Sequence, residues 1–343
     1  MRNYNYWVNR ANERMVSYIE DADKVADEVA RAYIQSSHQI GQDAASIFGK
    51  FQLDGGLSET EAKTLLNKIP DEKLNASLRS MLERLPPDLK RDALNVINAP
   101  AYAARIRNLE QLQRDIDSRI NNLARFEYQK YTDFFIDTLG DAHSKTLFDL
   151  QKGARYAFRS SGMTQKRLEE ILMQNWSGQH YSSRIWANTG KLASEIKREL
   201  LAGFLSGSTS SKMGKTLQVR FEVGSFEARR LVRTETNYLA NQAEQQSYKD
   251  AGIDQYQYVA TLDSKTSTIC ERLDGKRFDI DKSQPGVNCP PMHPNCRSTT
   301  VAVIGDEELM DMKRRARHPV TGRTYLVPAD MTYSDWKAKY IKS

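Results

Sequence analysis

Cysteine is scarce in this chain: Cys270, Cys289 and Cys296 are the three in 343 residues, and all lie in one short window. An odd, clustered count excludes the disulfide framework of a small secreted domain. Proline is absent from residue 101 to residue 284, so no pyrrolidine ring interrupts a helix there. Long apolar runs are also missing. No segment approaches the ~20 residues of a membrane span, and residues 1–14 lack the apolar core of a signal peptide. A soluble, non-secreted protein of a reducing compartment is expected, with no membrane partner. Nor is there a strong excess of charge: 50 Lys+Arg stand against 44 Asp+Glu, a formal net charge of +6. That balance names neither a nucleic acid nor a membrane surface as partner. No internal repeat and no low-complexity tract occur.

What is present is helical periodicity. Residues 4–50 read as one or two helices carrying Met15, Ile19, Val25, Val29, Tyr33 and Ile40. Ser58 and Glu61 form a capping-box pattern for a further helix, with short helices predicted over 74–85 and 88–97. The clearest stripe lies within 102–137, where Leu109, Leu112, Ile116, Ile120 and Leu123 step by threes and fours. More helices are predicted over 164–174, 184–204 and 226–251. Residues 203–214, small and polar, read as a linker. Beyond Gly252 the pattern changes to strand alternation over 255–261, with shorter candidates at 277–280 and 298–304. The fold class is therefore mainly α: a long helical amino-terminal arm or bundle, then a small α+β module with a short antiparallel sheet. The expected division is 1–205 for the arm, 206–305 for the module and 306–343 for a basic tail.

The chemistry concentrates in the module. Cys270, Cys289, His293 and Cys296 are spaced C-x18-C-x3-H-x2-C, and His293 is one of only five histidines. Three thiols and an imidazole make a Cys₃His set suited to structural zinc. Pro285, Pro290, Pro291 and Pro294 would stiffen the loop that offers three of the ligands, with Cys270 supplied by a turn between two strands and Asp274-Gly275 turning the chain back. The competing reading is a set of buried thiols, with His293 bonded to loop backbone. Upstream, Arg233 and Glu235 flank Thr234 in mid-helix. That helix reads as an ordinary charged one with Leu231, Tyr238 and Leu239 on its core side, or else as part of a polar network reaching the small sheet.

These residues together resemble the Mu F-like minor head proteins of tailed bacteriophages. The resemblance rests on the order of Leu231-Val232-Arg233-Thr234-Glu235-Thr236-Asn237, then Tyr258-Val259-Ala260-Thr261-Leu262-Asp263, then Leu273-Asp274-Gly275-Lys276, and last Pro290-Pro291-Met292-His293-Pro294-Asn295-Cys296-Arg297. It covers roughly residues 200–343, and the first 200 match only in being helical and charged. The resemblance implies a virion component at the portal vertex or head interior, acting in procapsid assembly, DNA packaging or ejection. Its implied partners are the portal, major capsid or scaffolding proteins. Some relatives carry a toxin domain after this module; the short segment beyond Ile304 leads us to expect none here.

No catalytic constellation is evident, so a non-enzymatic role is expected, with Arg233, Glu235, Asp274 and Arg297 stabilising the module around the zinc knot. Lys313, Arg314, Arg315 and Arg317, with Lys191, Lys197, Arg198, Lys212, Lys215 and Arg220, are candidate phosphate contacts for packaged DNA. Two other function classes stay open: a metal-dependent nuclease or Cys–His hydrolase built on the 270–296 window, and a zinc-containing DNA-binding module.

Overall fold

A computed structural model describes residues 4–53, 100–154, 163–205, 210–303, 313–317, 323–328 and 331–340. The helices expected after Ser58, over 74–85 and over 88–97 lie outside these residues. Seven α-helices and five strands are found among the described residues. Helix α1 is Tyr4–Leu53, α2 is Pro100–Ala154, α3 is Gln165–Leu172, α4 is Tyr181–Leu205 and α5 is Ser210–Asp250. Strand β1 is Gln255–Val259, helix α6 is Thr268–Leu273, β2 is Arg277–Asp279 and β3 is Thr299–Ala302. Strands β4 (Lys313–Arg317) and β5 (Thr324–Pro328) precede α7 (Tyr333–Tyr340). None of the described helices is long and apolar enough to cross a membrane.

The chain forms two compact units that interleave rather than following one another as the expected 1–205, 206–305 and 306–343 segments would. One holds residues 1–27, 129–183 and 228–343; the other holds 28–128 and 184–227. The second unit is wholly helical among its described residues. Its apolar stripes run at threes and fours: Leu109, Leu112, Ile116, Ile120 and Leu123 of α2 are all buried, as are Met213, Leu217 and Phe221 of α5. That second stripe explains why the predicted linker is mostly helix: burial of Met213 starts α5 at Ser210, which leaves only 206–209 between α4 and α5. Gly224 admits Tyr33 so closely that an added Cβ would lie 2.7 Å from its ring. Arg119 pairs with Asp43 at 3.0 Å, Lys197 with Asp117 at 2.7 Å and Arg220 with Glu199 at 2.6 Å.

The first unit contains the sheet. Its order is β2-β1-β3, antiparallel throughout, with Tyr256 opposite Phe278 on one side and Ala302 on the other. One core joins Trp7 and Val8 of α1 and Leu150 of α2 to Tyr248, Tyr256, Val259 and Val301. Gly275, at φ +76°, reverses the chain between α6 and β2. The presumed basic tail is folded. Strands β4 and β5 pair as an antiparallel hairpin, Ala316 bridges Leu262, and Val327, Tyr333 and Trp336 close a small core over that bridge. Trp336 Nε1 donates to Tyr325 Oη at 2.7 Å.

Candidate metal centre

Cys270 lies in α6, not in an open turn. Ser267 caps that helix by accepting from the Cys270 backbone N–H at 3.3 Å, which sets the thiol facing the 289–297 loop. The loop holds a cis Pro290–Pro291 bond and a left-handed Asn295 at φ 59°. Asn295 thereby aims its N–H at Thr234 Oγ1 of α5, 3.0 Å away.

The result is a three-member cluster. Cys270 Sγ lies 3.4 Å from His293 Nε2 and 3.8 Å from Cys296 Sγ, and the three potential ligand atoms all lie within 4.8 Å of one another. A tetrahedral zinc with Zn–S of about 2.3 Å and Zn–N of about 2.0–2.1 Å would have S···S and S···N edges of about 3.8 and 3.5 Å. The cluster matches both edges. His293 Nδ1 faces the Pro294 carbonyl at 2.9 Å; a carbonyl only accepts, so Nδ1 carries a proton and Nε2 is the nitrogen that faces the thiols. Such a backbone-anchored imidazole is the usual outer support of a metal-bound histidine. The donor set and its spacing therefore fit a metal ion.

Without a metal, the members of the cluster share protons among themselves. Hydrogen bonds from Cys296 and His293 hold the Cys270 thiol well below its ordinary range against the opposing effect of burial, and Tyr258 Oη donates to the same sulfur at 3.2 Å. Cys296 is pushed up, because it keeps its proton on the bond to Cys270 and is buried. His293 is raised by its bond to the Cys270 sulfur.

Cys289 does not join them. It is fully buried in the other core, with Tyr248, Tyr256 and Ile280, and burial pushes its thiol up to about 12. The expected Cys₃His set is thus a Cys₂His set. The cause is local: the turn at Gly286, where the Gly286 N–H bonds the Cys289 carbonyl at 3.0 Å, seats Cys289 in that other core.

The four charged residues singled out beside the knot are each paired. Asp274 accepts from the Ala260 N–H at 2.8 Å and the Tyr333 N–H at 2.9 Å, tying β1 to α7. Arg297 Nη2 donates to Asp263 at 2.8 Å. Burial disfavours the Asp263 carboxylate, but the Arg297 contacts outweigh it and hold the group below its ordinary range. Arg233 turns away to Asp23 of α1 at 2.7 Å, and Glu235 accepts from Trp176 Nε1 at 2.9 Å. Of the candidate DNA contacts, Lys197 and Arg220 are held in ion pairs and Arg317 is exposed; the side chains of Lys313, Arg314 and Arg315 lie outside the described set.

The residues that do join helix to sheet were missed from sequence. Asn237 Nδ2 donates to the Ser298 carbonyl at 2.9 Å, Gln245 Nε2 to Thr300 Oγ1 at 3.2 Å, and Tyr248 Oη to the Thr300 carbonyl at 3.2 Å. Glu244 accepts from Thr299 Oγ1 at 2.9 Å and from Arg14 at 3.1 Å, while Arg14 also pairs with Asp149. A readable signal existed: Thr234, Asn237, Asn241, Gln245 and Tyr248 recur at helical spacing, a polar stripe on the face that should be apolar.

Comparison with known proteins agrees with the module. A protein-family model described as "Phage Mu protein F like protein" matches residues 194–301. The NAD(+)–arginine ADP-ribosyltransferase EFV of Enterococcus faecalis is 25 % identical over 142 residues, covering 37 % of this chain and 29 % of that protein. The chain thus spans under a third of the length of the curated relative it matches. No solved structure matches it. The matched stretch takes in α5, the three-stranded sheet and the Cys270–His293–Cys296 cluster, so that part of the chain is similar to the Mu F-like phage proteins.

Proposed function

We propose that this chain is a minor capsid protein of a tailed phage, placed at the portal vertex or head interior, where it assists procapsid assembly and DNA packaging or ejection. The observation that carries the reading is the Mu F-like match over residues 194–301, a stretch of sequence that runs from the second half of α4 through α5 and the Cys/His cluster into β3. Long helices suit docking on another protein of the head, because one helix face offers extended contact. Contact with packaged DNA would be local, through exposed cations such as Lys215 of α5, and without sequence reading. In this reading the chain is not an enzyme. Mass spectrometry of purified procapsids and virions, with cross-linking to the portal, tests it. A few copies per particle cross-linked to portal or capsid protein are expected; no copies in either particle would overturn it.

Zinc is the metal we propose for Cys270, His293 and Cys296. Thiolate and imidazole donors favour it over Mg²⁺ or Ca²⁺, and when bound it would supply folding free energy to the loop. One observation favours a second reading. Three protein ligands leave a fourth tetrahedral position, the arrangement of hydrolytic zinc sites. The metal-dependent nuclease or hydrolase reading therefore stands as the alternative. The ADP-ribosyl transfer in the relative's name belongs to that longer protein. His293→Ala separates the two: a structural site loses fold together with metal, whereas a hydrolytic one loses nuclease activity with the fold retained.

A further inference from the structure

A cavity of about 300 Å³ opens in the sheet-containing unit, away from the metal cluster. Its floor is aliphatic: Met15, Val16 and Ile19 of α1, Leu262 after β1, and Ala316 of β4. Met15, Leu262 and Ala316 are each 2 % exposed, but Val16 is 46 % exposed, so apolar surface is left open to solvent. Four cations stand around this floor, Arg233, Lys265, Arg297 and Arg317, against the single acid Glu20. They are not equivalent. Arg233 is held by Asp23 and Arg297 by Asp263. Lys265 and Arg317 have no carboxylate partner among the described residues, and both are exposed.

We infer that this cavity docks a peptide segment of a partner protein in which an aliphatic side chain lies beside one or more Asp or Glu residues. The aliphatic side chain fills the floor over Val16, and its neighbouring carboxylates meet Lys265 and Arg317. Charge complementarity selects an anionic segment: with Arg233 and Arg297 already neutralised, the two uncommitted cations exceed Glu20 by one. The shape of the floor selects protein over nucleic acid. No aromatic side chain lines the cavity, so nothing there stacks a base. Met15 instead offers a polarizable, adaptable contact, beside the aliphatic surface of Val16 and Ile19, that suits an aliphatic side chain. A volume near the low end for ligand sites, which is about 300–1,000 Å³, accommodates one such side chain and its backbone rather than a folded domain. The inference leans on the head-protein reading only in expecting the segment to come from another virion protein.

The test uses the full chain and no knowledge of that partner. A random-peptide display library is panned on the purified protein. The enriched peptides are sequenced, and the most frequent is synthesised and titrated by fluorescence anisotropy. Enriched sequences should pair Leu, Ile, Val or Met with adjacent Asp or Glu. Binding should weaken about tenfold or more in Lys265→Glu/Arg317→Glu and in Val16→Glu, and it should weaken with added salt. Lys265→Gln, the mildest change, serves as the folded control, and thermal melts accompany each variant; Lys265→Gln should still lose severalfold. No enrichment, enrichment of basic or aromatic peptides, equal affinity for all variants, or an oligothymidylate competing more strongly than the peptide would each overturn the inference. Absence of the chain from virions would sink the head-protein reading and leave a positive peptide result standing, so the two failures are separable.

Discussion

The helical unit made of residues 28–128 and 184–227 and the sheet-containing unit are held together by different physics. In the helical unit apolar stripes meet, and polar groups contribute at the margins: Arg119–Asp43 and Arg220–Glu199 are both roughly a third exposed. In the sheet-containing unit the contact between α5 and β3 is largely polar and buried, running through Asn237, Glu244, Gln245 and Tyr248 to the backbone and hydroxyls of residues 298–300. Apolar stripes tolerate small slips and substitutions of similar volume. Buried donors and acceptors do not, since each one left unpaired costs about 1–3 kcal/mol. The first kind of packing tolerates variation along its helices; the second fixes one register, which is what a metal loop needs if its ligands are to meet.

The metal cluster should show the largest effect. Cys270→Ser, His293→Ala or Cys296→Ser is expected to abolish stoichiometric zinc and to melt the module, because structural zinc supplies on the order of 10 kcal/mol of folding free energy in small domains. Cys289→Ala should keep its zinc and lose only the contacts of a small buried side chain, about 1–2 kcal/mol. Elemental analysis with thermal melts, run with and without a chelator, reads both. Zinc retained by Cys270→Ser, or lost by Cys289→Ala, would refute the three-ligand assignment.

Next in size is the buried ion network. Arg14 is 8 % exposed and joins α1 to Asp149 of α2 and Glu244 of α5. Burial pushes the Glu244 carboxyl up, and Arg14 and Thr299 act to restore its charge. Arg14→Ala leaves the buried Glu244 without its cation, while Asp149 keeps Arg10, a change worth about 3–5 kcal/mol. Arg220→Ala in the helical unit breaks partly exposed pairs worth about 0–1 kcal/mol. Urea unfolding of the two variants measures the contrast. Equal losses would mean that the two units do not differ in the way the contacts indicate.

How far these features could be read in advance follows the same division. The stripe from Leu109 to Leu123 is legible because its period is that of the element itself, and the three sheet strands are legible from their alternation. The fate of 203–214 was not legible. Its polar composition outweighed one apolar stripe, Met213–Leu217–Phe221, that only packing makes decisive. In the metal window, residue type and proximity in sequence put Cys289 with the other thiols, but the turn at Gly286 seats Cys289 in one core while Cys270 and Cys296 lie in another. Spacing along a chain cannot register such a reversal. The hairpin after residue 312 was hidden for a third reason: a run of basic residues reads as solvated tail until Trp336 and Tyr333 are seen to cover it.

Glu127 gives the smallest of the three effects, and it tests whether the helical unit holds any polar group under strain. It is 1 % exposed, and its one described hydrogen bond is the 2.8 Å donation from Tyr33 Oη. Burial raises its carboxyl from 4.5 to about 7, with the Tyr33 bond opposing the shift. The folded chain therefore keeps a proton that the unfolded chain gives up, and stability must fall as pH rises. The contribution is complete below about pH 4.5, declines between there and about pH 7, and is then lost. A shift of that size corresponds to at most about 3 kcal/mol. Glu127→Gln keeps an oxygen for Tyr33 to bond and removes the titration. Unfolding free energies of the two proteins, measured across that window, should differ by an amount that grows with pH, the glutamine form becoming the more stable one near neutrality. A constant difference at every pH would show that Glu127 reaches water in the folded chain, and that the helical unit is as free of buried polar strain as its stripes suggest.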